Sequence, residues 1–175
     1  MVIDAGNAMG APAARFPISN PLDQVYPWSF GSIGGGLAIA IGASIGRPDR
    51  PTIAFLGDGS LMLGLSDLDT ARRHGARLLV VVTADGGFRS ERGSYEARSL
   101  DPHLADYDNP DFAAVAAALG IPGYHAASDA DVDVCLDRIR SEDPGLSGPA
   151  VLCVHVDQFA DNSEIDRAFE HYRPY

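Results

Sequence analysis

Two apolar runs, Thr52-Ile53-Ala54-Phe55-Leu56 and Leu78-Leu79-Val80-Val81-Val82, show no alternation with polar residues, and each gives way to a Gly- and Asp-containing turn. Short runs of this kind predict strands buried on both faces, as in a parallel sheet. Between them Leu65, Leu68 and Ala71 share one face of a predicted helix over 65–74. Leu37, Ile41 and Ile45 recur every four residues and predict another over 33–45, whose glycines permit close packing against neighbouring backbone. Val2-Ile3 opens the chain as a short strand. Asn109-Pro110-Asp111 predicts a helix start with an Asp or Asn cap and Pro in the first turn, running to Leu119-Gly120. A further helix over 129–140 and a strand over 150–156 follow. In 162–172, Ile165, Phe169 and Tyr172 stand at helical spacing and predict a helix that packs on the domain or on a partner chain. Residues 88–108 are rich in Arg, Asp and Glu without a clear period and predict a long loop or mobile helix over a site. The alternation of strand and helix predicts an α/β fold: a doubly wound, mostly parallel sheet with helices on both faces.

Composition narrows the picture. A chain of 175 residues with 46% hydrophobic content forms one domain, 1–175, with a sizeable core and no visible repeat or linker. A net charge of -11 argues against nucleic acid or an anionic membrane surface as partner, so an anionic ligand here needs a metal and local N–H donors. Cys135 and Cys153 lack metal-pair or disulfide spacing and read as buried free thiols. There is no basic-then-apolar leader pattern and no run of about 20 apolar residues, which makes a cytoplasmic protein the expectation. The five histidines are scattered, and no Gly-x-Ser-x-Gly elbow or Walker loop supports a hydrolase or NTPase.

The candidate chemistry sits at the two strand ends, Gly57-Asp58-Gly59-Ser60 and Asp85-Gly86-Gly87. Ligands of open parallel sheets bind outside the carboxyl ends of the strands. Two carboxylates beside Gly-rich backbone suit a divalent cation holding a phosphate. The Gly59 and Ser60 amides at a helix start, with the Ser60 hydroxyl, suit the phosphate oxygens.

Asp85 follows Asp58 by 27 positions across a helical stretch. This spacing resembles the signature of thiamine diphosphate-dependent enzymes. Phe30-Gly31-Ser32-Ile33-Gly34-Gly35-Gly36, the residues to Ala43, and Gly46-Arg47-Pro48-Asp49-Arg50-Pro51 resemble their acetolactate synthase, benzoylformate decarboxylase and pyruvate decarboxylase branch, along roughly residues 2–157. The resemblance implies the thiamine diphosphate-binding fold and magnesium, or calcium, on Asp58, Asp85 and the Gly87 carbonyl. It implies a bulky wedge at Ile33 that bends the cofactor, an aminopyrimidine contact at the Gly31 carbonyl, and a diphosphate contact at Asn7. Ser32, Gly57, Gly59, Ser60 and Phe88 complete the implied cofactor contacts, and Glu91 matches a proton-handling carboxyl. Arg89, Arg92 and Arg98 could clamp an acidic substrate group.

Where the family carries Asn-Asn, this chain has Ala84-Asp85, so a carboxylate replaces a neutral amide. The change implies tighter metal binding and weaker diphosphate binding than at an Asn site. The family's Glu against the pyrimidine comes from a second domain across a subunit interface, and this sequence contains no such domain. The chain therefore resembles the diphosphate-binding subunit of a split enzyme, similar to the beta subunit of sulfopyruvate decarboxylase, or an excised piece. The expected function is that of a lyase or carboligase acting on a small 2-oxo acid, as a hetero-oligomer whose pyrimidine-domain partner supplies the Glu. The alternatives are a noncatalytic assembly or regulatory subunit with a degraded site, and a flavodoxin-like mononucleotide module.

Overall fold

The computed structural model of the protein describes residues 1–157. Five parallel strands, β1 (Val2–Ile3), β2 (Thr52–Gly57), β3 (Leu78–Ala84), β4 (Gly123–Ala126) and β5 (Pro149–His155), form one sheet in the order β1-β2-β3-β5-β4. The α-helices among the described residues are α1 (Gly10–Arg15), α2 (Gly36–Gly46), α3 (Asp58–Leu63), α4 (Asp67–Arg73), α5 (Arg89–Ala97), α6 (Phe112–Ala118) and α7 (Asp129–Glu142). This is the α/β architecture that the sequence pattern predicts.

The strand order decides which face each helix covers, because crossovers between parallel strands are right-handed. From β1 through β2 and β3 to β4 the chain advances in one direction across the sheet. The buried faces of α2, α3, α4 and α6 accordingly share one core with Ala54, Leu56, Val80, Val82 and Val151. From β4 to β5 the direction reverses, and Cys135 and Ile139 of α7 pack with Leu79 and Leu152 on the opposite face. On that second face Phe16, just past α1, lies 5.2 Å from the Phe55 ring of β2, centroid to centroid.

Several elements depart from the periodicity reading. The helix expected over 33–45 begins at Gly36, because Gly34 adopts φ 91° and a Cβ there would stand 2.8 Å from that of Leu63. Ile45 is 53% exposed, and Ser44 is buried in its stead. A spacing of four residues overruns the 3.6-residue turn by about 40° at each step, so the third member of the series has rotated off the buried stripe. The single helix expected over 65–74 is preceded by α3, which starts at the strand end itself. Residues 88–108 form α5 and a 3₁₀ turn, Pro102–Ala105. No residue of α5 is buried, which explains its lack of an apolar period.

Strand β4 was not predicted: four residues including His125 present too little apolar pattern to be seen. Pro110 precedes the α6 cap rather than lying in the first turn, and Asp111 is the cap, accepting from the Ala114 N–H at 3.0 Å. Both cysteines are free and buried, as expected. The helix expected over 162–172 lies outside the described residues.

Candidate functional site

Three strand ends meet at the carboxyl edge of the sheet. β2 passes directly into α3, so Asp58 is the first helical residue, and Gly57 pairs in register with Thr83 on β3. β3 then releases Asp85-Gly86-Gly87, with Gly86 at φ 75°, a conformation that glycine adopts without strain. β1 delivers Asp4 to the same edge, where its N–H bonds the Phe55 carbonyl.

Asp58 is buried and accepts five hydrogen bonds. The Gly59 N–H (2.6 Å) and the Tyr107 hydroxyl (2.8 Å) donate to Oδ1. The Asp85 N–H (3.1 Å), the Gly86 N–H (2.8 Å) and the Asn109 amide (2.6 Å) donate to Oδ2. Burial, then the bond it gives Asp58, hold the Tyr107 phenol above its ordinary range. The Asp85 carboxyl is pushed up to about 6, first by burial and then by the Asp58 charge, with Arg89 acting in the opposite direction.

Asp4 forms a second buried node. Its Oδ2 accepts from the Gly34 N–H at 2.9 Å and from the Ser60 hydroxyl, and its Oδ1 accepts from the Ala5 N–H. Ser60 in turn accepts from the Gly34 N–H at 3.2 Å. The Ser60 hydroxyl is thus engaged within the protein, which leaves main-chain amides as the phosphate donors of this turn.

A cavity of about 430 Å³ opens beside this edge. It is lined by Asn7 after β1, by Gly31, Ser32 and Ile33 before α2, by Gly57, Asp58, Gly59 and Ser60, and by Asp85, Gly87, Phe88 and Glu91. Every position singled out in the sequence for cofactor or catalysis therefore borders one space. Gly59 is obligatory there: a Cβ would overlap the Phe88 ring and stand 2.6 Å from the Tyr107 hydroxyl. Glu91 is exposed at the cavity.

Arg89 and Arg92 both turn onto Asp106, at 2.8 Å and 3.0 Å, and Arg98 donates to the Ser94 carbonyl at 3.0 Å. Asp4, Tyr107 and Asn109 belong to the site as well, without a local signal in the sequence. Asp4 lies only three residues before Asn7, but nothing local marks a tyrosine or an asparagine 49 and 51 residues from Asp58 as its donors.

A larger cavity of about 1110 Å³ lies on the other side of Asp85 and Arg89 and includes His125, Cys153 and His155. Among the described residues no group of three or more His, Cys, Asp or Glu side chains is placed to hold a metal ion. The edge at Asp58 and Asp85 offers two carboxylates with glycine main chain on either side. Such hard oxygen donors fit a divalent cation that completes its shell with phosphate oxygens, provided the cation shares Asp58 with the Tyr107 and Asn109 donors.

A family model described as "Thiamine pyrophosphate enzyme, C-terminal TPP binding domain" matches residues 4–154. The large subunit of acetolactate synthase isozyme 2 from Escherichia coli (strain K12) is 30% identical over 159 residues, covering 89% of this chain and 28% of that protein. The structure of benzoylformate decarboxylase from Polynucleobacter necessarius superposes with a TM-score of 0.76 at 19% identity, over 90% of this chain and 30% of the other. The thiamine diphosphate-dependent 4-hydroxybenzoylformate decarboxylase of Rhodococcus jostii RHA1 superposes with a TM-score of 0.73 at 22% identity, over 89% and 29%. At these identities the two superpositions speak for the fold, and the chain spans less than a third of each of these proteins.

Proposed function

The chain belongs to the thiamine pyrophosphate enzymes through their C-terminal TPP-binding domain, and from that premise we propose that it is the diphosphate- and magnesium-binding part of a cytoplasmic 2-oxo acid decarboxylase or carboligase of acetolactate synthase type. In this reading Asp58, Asp85 and the Gly87 carbonyl hold the metal. Asn7 and the Gly59 and Ser60 amides hold the diphosphate, Ile33 supports the bend of the cofactor, and the Gly31 carbonyl faces its aminopyrimidine. When bound, the cofactor supplies a nucleophilic carbon and an electron sink for a 2-oxo acid. The protein's own part is positional: Asp4 ties the Gly34 N–H to the Ser60 hydroxyl, which sets the Ile33 loop against the start of α3. In this reading Glu91, exposed at the cavity, handles protons on the bound substrate.

The observation that carries this reading is the convergence of four separate segments on the 430 Å³ cavity. In this reading Glu91 of the cavity lining handles protons on the bound substrate, and we assign the Glu that engages the pyrimidine to a pyrimidine-domain partner in a hetero-oligomer. The test is calorimetric titration of thiamine diphosphate with magnesium into this protein, alone and mixed with a pyrimidine-domain protein, followed by a 2-oxo acid screen. Magnesium-dependent binding, with decarboxylation only in the mixture, is expected. Absence of binding in both settings would identify a noncatalytic scaffold, the reading that Ala84 in place of the family's first Asn favours.

A further inference from the structure

Asp85 adds a negative charge where the site resembles one built around a neutral amide, and the fold answers it with one cation. Arg89 stands four residues on, in the first turn of α5, with a side chain only 6% exposed. Its Nε lies 3.5 Å from Asp85 Oδ1 and has no hydrogen-bond partner. Its Nη2 donates to the Asp85 carbonyl, and its Nη1 donates to Asp106 Oδ1 at 2.8 Å. Asp106 is further held by Arg92 and by His103 Nδ1 at 2.9 Å. The five donors to Asp58 are neutral N–H and O–H groups. Arg89 is the cationic group that stands against Asp85.

We propose that Arg89 is a positioning and charge-compensating residue of the cofactor site, which returns the Asp58–Asp85 edge to the net charge of a site with a neutral amide at position 85. This inference rests on the reading of the edge as a metal-diphosphate site, and it concerns residues that the chain itself supplies. An arginine side chain largely covered from solvent is retained beside a carboxylate because removing one partner leaves the other charge unpaired in a poorly solvated place. Its charge opposes a bare cation and favours a diphosphate, so its loss moves the two affinities in opposite directions. A residue that merely tethers α5 to Asp106 would weaken both.

The experiment is a double-mutant cycle of Arg89→Gln and Asp85→Asn in the intact protein, with Arg89→Lys as a charge-retaining control. Three quantities are read: the melting temperature without metal, the affinity for manganese(II) alone, and the affinity for thiamine diphosphate at saturating magnesium. With Asp85 present, Arg89→Gln is expected to lower the melting temperature, to tighten manganese binding, and to weaken diphosphate binding by about tenfold. Asp85→Asn is expected to suppress most of these changes, and Arg89→Lys to keep most of the diphosphate affinity. Equal weakening of both ligands, or the same effect of Arg89→Gln in the Asp85→Asn background, overturns the proposal. Failure of the unsubstituted protein to bind thiamine diphosphate at all, with the melting-temperature coupling intact, would reject the cofactor reading while leaving the charge pair standing.

Discussion

Asp58 and Asp85 share an edge but differ in what surrounds them, and the difference is measurable. Asp58 receives five neutral donors, whereas Asp85 faces burial and the charge of Asp58 with Arg89 in partial answer. Its folded pKa of about 6 exceeds its ordinary value of 3.8, so between these values the folded state holds a proton that the unfolded chain releases. The stability this group contributes is full below about pH 4 and is lost as pH rises through 6. In the absence of metal, the melting temperature of the unsubstituted protein relative to Asp85→Asn should be higher at pH 5 than at pH 7, by about 2–4 °C. Parallel pH profiles for the two proteins would exclude this role. At Gly59 the constraint is steric. Gly59→Ala should force Phe88 and Tyr107 apart, breaking the Tyr107 bond to Asp58 and costing about 1–3 kcal/mol, as read by urea unfolding.

Packing between elements turns on close backbone approaches. A Cβ at Gly123 would overlap the Ala113 carbonyl and come within 2.8 Å of its Cα, so β4 lies directly against α6. Gly123→Ala should displace α6 and destabilise the protein by about 1–3 kcal/mol. Hydrogen exchange would show the loss concentrated in β4 and α6. Uniform exchange over the whole sheet would point to a different cause. The Gly87 segment is built in the same way: a Cβ there would stand 2.5 Å from the Ala105 carbonyl, to which the Phe88 N–H bonds at 2.9 Å. That pairing brings Tyr107 and Asn109 over Asp58.

The molecule as a whole is acidic, yet it exposes large apolar side chains in the segment before α2: Leu22 is 80% exposed, Trp28 65% and Phe30 88%. Exposed apolar side chains close together along one segment are candidates for contact with a second copy of the chain. The net charge of -11 opposes association of like copies, and salt screens that repulsion. Sedimentation of the isolated protein should therefore show self-association that grows with salt, and Phe30→Asp should shift it toward monomer. A salt-independent monomer would show that this surface does not drive association.

The amino-acid sequence was sufficient for the α/β class, for four of the five strands and for the two strand-end carboxylates. These rest on local signals: unbroken apolar runs, helical spacing, and the Gly-Asp-Gly-Ser and Asp-Gly-Gly turns that end the strands. Positions from Asn7 to Glu91 could be named as candidates because the segments around them resemble those of thiamine diphosphate-dependent enzymes. Only the tertiary structure decided how the side chains are used. The Ser60 hydroxyl is claimed by Asp4, Arg89 and Arg92 are drawn to Asp106, and Asp58 takes donors from Tyr107 and Asn109. The physical reason is that hydrogen bonds and ion pairs are set by distance in space. The side chains of Ser60, Arg89, Arg92, Tyr107 and Asn109 lie 14 to 56 residues along the chain from the carboxylates Asp4, Asp106 and Asp58 that they engage, where periodicity and spacing carry no record of them.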